Sequence, residues 1–230
     1  MSKGTKFGVL GTGPVGQALA AKLADLGHPV FVGTRDPAAT LARSSPDSFG
    51  NPPFSVWRDK HPGIEFGTLA QAAAHAEILV NATNGNGSID ALKAAGEKNL
   101  AGKILIDIAN PLDFSKGMPP SLSVCNTDSL GEQIQRAFPA LKVVKTLNTM
   151  NAYLMVGPEQ LASGEHTVFV SGNDAAAKDT VTKLLKSFGW KDIMDLGDIT
   201  TSRGTEMILP IWVRIWGATK NPMFSFKVVR

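Results

Sequence analysis

The sequence predicts an α/β protein built on a doubly wound parallel sheet, with a smaller α/β unit toward its C-terminal end. Three observations carry that prediction. The apolar run Phe7–Leu10 leads directly into Gly11-Thr-Gly-Pro-Val-Gly16, and the alanine-rich residues 17–26 have helix-forming composition. Apolar runs of strand length then alternate with helical patterns as far as residue 150. Beyond it the pattern shortens, so the chain divides into residues 1–150 and a small unit at 151–230.

In the first unit, Gly11 permits a tight turn, Gly13 lets the main chain approach a pyrophosphate, and Gly16 lets the helix pack closely on the strand. Thr12, Pro14 and Val15 complete the loop, and the amides and dipole of the helix N-terminus face the anion. Strand, loop and helix together read as the opening of a Rossmann sheet that binds a dinucleotide. The second strand is expected at residues 28–32. Where an NAD binder usually carries an acid for the ribose hydroxyls, this chain has Gly33-Thr34-Arg35. A permanent cation with a planar fork of donors, beside a hydroxyl, suits a 2′-phosphate, so NADPH is expected over NADH. The alternative gives the work of the missing acid to Asp36. Residues 44–53, rich in Ser, Pro, Gly and Asn, read as a surface loop, either a solvated insertion or a border of the adenosine end.

Further strands are expected at 64–66, 77–81, 103–108 and 142–146, six in all with the first two. Ligands of open parallel sheets sit beyond the carboxyl ends of the strands. Those ends carry small and polar residues: Asn81-Ala82-Thr83 after the fourth strand, Ala109-Asn110 after the fifth, and Asn148, Met150 and Asn151 after the sixth. As a set they read as a wall beside the nicotinamide ribose and carboxamide, although Asn and Gly are also ordinary turn formers. No His, Lys or Tyr stands where a dehydrogenase of hydroxy acids would hold its base. His28, His61, His75 and His166 fall in structural contexts, Tyr153 is the only tyrosine, and Lys145 lies within a strand. Hydride exchange between two stacked redox rings needs no such base, since proximity and orientation supply most of the catalysis. No catalytic residue and no metal ligand is therefore assigned.

Composition narrows the class further. With 230 residues, 43% of them hydrophobic, and a net charge of +3, the chain reads as soluble and globular, without the basic density of a nucleic-acid or anionic-membrane binder. The single cysteine, Cys125, excludes an intrachain disulfide and fits a reducing cytoplasm. The N-terminus runs at once into the first strand and no stretch of 18 apolar residues appears, so neither a signal peptide nor a membrane span is expected.

The second unit is expected to hold a strand at 167–170, a helix capped by Asn173 or Asp174 and stopped by Gly189, and a strand at 192–196. A longer helix over 200–219 follows, with Pro210 inside it as a kink, and 224–228 alternates like a strand. That helix is apolar nearly all round, which fits core packing, a ring-binding pocket or a homodimer contact.

These segments resemble the family of coenzyme F420-dependent NADP oxidoreductases. The resemblance runs nearly end to end through Gly11-Thr-Gly-Pro-Val-Gly16, Gly33-Thr-Arg35, Lys145-Thr-Leu-Asn-Thr-Met-Asn-Ala152, Phe169-Val-Ser-Gly172, Asp195-Leu-Gly197 and Ser202-Arg203-x-x-Glu206. By that resemblance, Thr12, Thr34 and Arg35 contact NADP. Met150, Asn151 and Ala152 lie where a deazaflavin stacks on the nicotinamide, and Val213 helps close that pocket. Two positions depart from the archaeal pattern: Asn148 replaces a histidine before the Thr, and Asp192 replaces a basic residue. The implied activity is hydride transfer between NADP(H) and a small flat redox partner, with F420 first. Its alternatives are a reductase of flavin (FMN or FAD), quinone or a metal chelate, and an NADPH-binding sensor without turnover.

Overall fold

The computed structural model describes residues 4–47 and 50–230. The chain runs through β1 (Phe7–Leu10), α1 (Pro14–Asp25), β2 (Val30–Thr34), α2 (Pro37–Ala42), α3 (Phe54–Asp59), β3 (Glu65–Thr68), α4 (Leu69–His75) and β4 (Ile78–Asn81). It continues through α5 (Ser88–Ala95), α6 (Glu97–Leu100), β5 (Ile104–Asp107), β6 (Leu112–Asp113), β7 (Ser121–Leu122), α7 (Leu130–Ala137) and β8 (Lys142–Thr146). The remaining elements are α8 (Ala152–Val156), β9 (Thr167–Gly172), α9 (Ala175–Ser187), β10 (Asp192–Gly197), α10 (Ser202–Met207) and α11 (Leu209–Thr219).

Eight strands form one sheet in the order β10-β9-β8-β5-β4-β1-β2-β3, while β6 and β7 make a separate antiparallel pair. The six expected strands run parallel, and β9 then pairs antiparallel to β8, with β10 parallel to β9. The strands of the shorter C-terminal pattern thus extend the same sheet.

Both faces of the sheet are covered, which is why the central strands read as unbroken apolar runs. Side chains alternate between two cores. Phe7, Val9, Ile78, Val80, Ile106 and Val144 enter one with residues of α1, α8 and α9. Leu10, Leu79, Leu105 and Val143 enter the other with α4, α5 and α7. Each such side chain contributes roughly 1.5–3 kcal/mol on burial.

Three expectations need correction. The helix expected over 200–219 is two helices, α10 and α11, separated at Ile208. Pro210 lies in the first turn of α11, where its missing N–H has no intrahelical acceptor to serve, so it starts a helix instead of kinking one. Residues 224–228 are not a strand. Phe224 stacks on Trp212 with centroids 5.1 Å apart, and Thr167 of β9 donates its N–H to the Phe226 carbonyl and accepts at its hydroxyl from Val228 N, each at 2.9 Å, so the segment is tied at one residue of β9 and not along a ladder. The strand edges at 28–32 and 64–66 move to Val30–Thr34 and Glu65–Thr68, within the usual slack of boundary reading.

Helix α7 starts from a charged clasp. Arg136 Nη1 and Nη2 donate to the two oxygens of Asp128 at 2.9 and 2.7 Å. This pairing lowers the Asp128 carboxyl from its ordinary 3.8 to about 2. A depressed carboxylate contributes stability above its ordinary pKa that is lost as pH falls through the folded value. Replacing Arg136 by Gln should therefore raise the Asp128 pKa toward 3.8 and flatten the stability change between about pH 4 and pH 2. An NMR titration of the carboxyl carbon that stayed near 2 in Arg136→Gln would contradict this.

Candidate functional site

In the sheet β1 lies between β2 and β4, so the chain crosses over in opposite directions on either side of it and leaves a crevice beyond Leu10. The glycine loop fills that switch point. Gly11 has φ +123°, and a Cβ there would come within 2.5 Å of the Ala82 carbonyl oxygen. A Cβ on Gly16 would run into the Gly11 carbonyl oxygen, so the start of α1 is seated against the loop. Gly13 is the N-cap with nothing within 4 Å of its absent Cβ, and no side chain caps α1. The first amides of α1 are therefore left for an external acceptor. Gln17 Nε2 donates to the Thr12 carbonyl at 2.8 Å and fixes the loop.

Two cavities open along the strand ends. The first, about 240 Å³, is lined by Gly11, Thr12, Gly13, Thr34, Arg35, Arg43, Ala82 and Thr83 among others. The second, about 200 Å³, shares Ala82, Thr83 and Asn84 with it and adds Val15, Ile108, Ala109, Asn110 and Phe114. Pro14 lines a third, of about 540 Å³, with Thr12, Gly13 and residues 44–47 and 51–53 of the Ser/Pro-rich loop. Residues 48 and 49 of that loop lie outside the described residues. Asp36 lines none of the three; its carboxylate accepts from Ala39 N at 2.9 Å and caps α2. Thr34 and Thr40 share a hydroxyl contact of 3.1 Å that orients the Thr34 side chain.

The other predicted site residues take different places. Asn81 is fully buried: its amide donates to Asp107 Oδ1 at 2.8 Å and its oxygen accepts from the Thr83 hydroxyl at 2.6 Å. It thus supports Thr83 from behind. Asn148 is also buried and forms a reciprocal pair with Asn110, donating to Asn110 Oδ1 at 2.9 Å while Asn110 Nδ2 donates to the Asn148 carbonyl at 2.8 Å. Met150 lies in the apolar core that holds Ile108 and touches Val15, two walls of the second cavity. Asn151 caps α8 and, like the adjoining Ala152, lines none of the cavities around the glycine loop. Val213 is buried on α11 and faces a separate cavity of about 630 Å³ with Met118, Pro119 and Trp216. Leu147, which turns the chain out of β8, has φ +60° with its side chain buried, a conformation that costs a non-glycine residue roughly 1–2 kcal/mol. The core contact holds the Asn148–Asn151 turn in place.

Beneath the strand ends lies an ionic cluster that sequence reading missed. Lys145 is wholly buried and pairs with Asp107 Oδ2 at 2.9 Å and Glu206 Oε1 at 2.8 Å, and also donates to the Ala109 carbonyl. Burial pulls the ammonium pKa down, but the two carboxylates outweigh it and hold the pKa above its ordinary value. Glu206 also accepts from Leu130 N and Gly131 N at the start of α7. Arg203 grips Glu132 with two bonds of 2.8 and 2.6 Å, and Ser202 meets Ser129 at 2.7 Å. The Ser202-Arg203-x-x-Glu206 motif is thus the latch that ties α10 to α7 and β8. A charge inside an apolar strand was its visible signal, and the register places Lys145 directly beside Asp107.

Asp192, the departure at the base of β10, accepts from the Thr167 hydroxyl at 2.6 Å and pairs with Lys227 and Arg230. It anchors the segment after α11. The four histidines lie elsewhere: His166 Nε2 meets the Pro158 carbonyl, His61 Nδ1 meets that of Trp57, His75 neighbours Glu65, and His28 is buried against Phe7. Tyr153 projects from α8 with 62% exposure. Among the described residues, the walls of the two strand-end cavities carry no ionisable side chain except Arg35 and Arg43.

Comparison with known proteins accords with this geometry. Residues 6–111 match the family described as NADP oxidoreductase, coenzyme F420-dependent. A crystal structure from Arthrobacter sp. FB24, provisionally described as an F420-dependent NADP reductase, is 63% identical, with a TM-score of 0.95 over 99% of this chain and 100% of that one. The chain belongs to the coenzyme F420-dependent NADP oxidoreductase family. It is an NADP-dependent oxidoreductase. The F420-dependent NADP reductase of Methanocaldococcus jannaschii is 27% identical over 90% of this chain and 91% of its own length. The metalloreductase STEAP3 of Rattus norvegicus is 28% identical over 90% of this chain, which spans only 38% of that protein. No helix among the described residues of this family member is long and apolar enough to cross a membrane.

Proposed function

We propose that the enzyme moves hydride between NADP(H) and coenzyme F420, with residues 1–150 binding the nicotinamide cofactor and 151–230 closing the pocket of the second substrate. One observation carries this reading: the cavities along the strand ends offer an anion site, two guanidiniums and a wall of amides and hydroxyls, but no proton-transfer group. The residues fit NADP(H), because the loop leaves room for a pyrophosphate and unsatisfied amides meet it there. When bound, NADPH supplies a hydride at nicotinamide C4. The protein's contribution is orientation: Thr83, held by Asn81, and Asn110, held by Asn148, fix the wall on one side. Met150, Asn151, Ala152 and Val213 belong to the side of the flat acceptor. The exposed Met207 and Ile211 on α10 and α11 favour a homodimer contact there.

A second reading, reduction of a metal chelate, flavin or quinone, draws on the likeness to the rat metalloreductase. The deciding experiment follows NADPH oxidation by the purified protein with F420 and, in parallel, with FMN or a ferric chelate. Fast reduction of F420 alone is expected. Turnover only with FMN or the chelate replaces F420 by that acceptor, and NADPH binding without turnover makes the protein a sensor.

A further inference from the structure

We propose that Arg43 is a second reader of the 2′-phosphate of NADP(H), closing on that group with Arg35 from the opposite end of α2. The proposal rests on the NADP(H) reading above and is independent of the acceptor. Arg35 precedes Asp36, the N-cap of α2, and Arg43 is the residue that ends the helix. Six helical residues separate them, a rise of roughly 9 Å, which two long side chains span easily. Both line the cavity of about 240 Å³ that also holds Thr34 and the loop glycines.

Neither guanidinium has a protein partner among the described residues. The nearby acids are occupied. Asp36 caps α2, and both oxygens of Asp47 accept from Asn51, one from its backbone N–H at 2.9 Å and the other from its side chain at 2.8 Å. Two cations lining one cavity repel each other unless an anion lies between them. The pyrophosphate already has its place at the uncapped start of α1, so the remaining dianion of the cofactor is the 2′-phosphate. Its three terminal oxygens accommodate one fork of donors from each arginine. Arg43 also borders the neighbouring cavity of about 540 Å³, so it stands on the ridge between the two and covers the phosphate from outside.

The test is calorimetric titration with NADPH, NADH and 2′,5′-ADP, in the absence of any acceptor, for the wild type, Arg43→Ala, Arg43→Lys and Arg35→Ala. Arg43→Ala should weaken NADPH and 2′,5′-ADP roughly ten- to a hundredfold while leaving NADH unchanged, and Arg43→Lys should recover part of the loss. A preference for NADPH over NADH that Arg43→Ala leaves as large as in the wild type overturns the proposal alone, as does an equal loss for NADPH and NADH. A wild type that does not distinguish the two cofactors overturns the NADP(H) reading and the proposal with it.

Discussion

Lys145→Met should lower the unfolding free energy by about 3–5 kcal/mol, the usual cost of removing one partner from a buried ion cluster. The size follows from what the ammonium leaves behind. Asp107 and Glu206 would remain as buried carboxylates without their shared cation, and the Ala109 carbonyl would lose a donor. Methionine matches the aliphatic stem, so the loss reports charge pairing and not an empty volume. Glu206→Gln should cost less, because an amide oxygen in the place of Oε1 still accepts from Gly131 N and still meets the ammonium, and only the bond from Leu130 N to Oε2 is lost. Urea denaturation measures both, and a midpoint for Lys145→Met within error of the wild type would refute the argument. The cluster has a functional consequence as well: it fixes Ala109 and, through Asp107 and Asn81, the hydroxyl of Thr83. NADPH affinity should therefore fall in Lys145→Met even under conditions where the protein is fully folded.

The parts of the fold that were legible in the sequence are those set by local pattern. The apolar run bounds the strand at Lys142–Thr146 to the residue, and the helix capped by Asp174 has Ala177, Val181, Leu184 and Leu185 buried on one face as its spacing requires. The glycine loop was legible for the same reason, since its turn, its open face and its close helix contact each need glycine at a fixed position. What escaped depends on partners distant in sequence. Nothing local to Thr167–Gly172 says that it pairs antiparallel with β8 and so continues the sheet. Residues 224–228 alternate like a strand, but Phe224 stacks on Trp212 of α11, and the backbone meets the edge of β9 at Thr167, which donates to the Phe226 carbonyl and accepts from Val228 N, without running into a ladder. Lys145 was visible as a charge in an apolar strand, whereas Glu206 was visible only as part of a motif; their meeting is tertiary. Arg43 gave no signal at all, because its position relative to Arg35 follows from the length of α2 and the turn that ends it.

Gly16→Ala should reduce NADPH affinity by roughly ten- to a hundredfold, the scale expected when one hydrogen bond to a charged pyrophosphate is lost. A methyl group at Gly16 meets the Gly11 carbonyl oxygen, which is backbone and has no rotamer to change, with the Val9 side chain 3.5 Å away. Either α1 lifts from β1 or the loop opens, and both displace the amides that would hold the pyrophosphate. Overpacking of this kind also costs about 1–3 kcal/mol of stability. Gly13→Ala separates the two effects. Its Cβ has nothing within 4 Å and its φ of −74° suits any residue, so the free protein should be as stable as the wild type or slightly more so. The same methyl nevertheless stands on the exposed face of the loop, where a pyrophosphate must approach the main chain. Gly13→Ala should thus lose affinity with stability retained, while Gly16→Ala loses both. Should Gly16→Ala bind NADPH as tightly as the wild type, the close seating of α1 on the loop is not what builds the anion site.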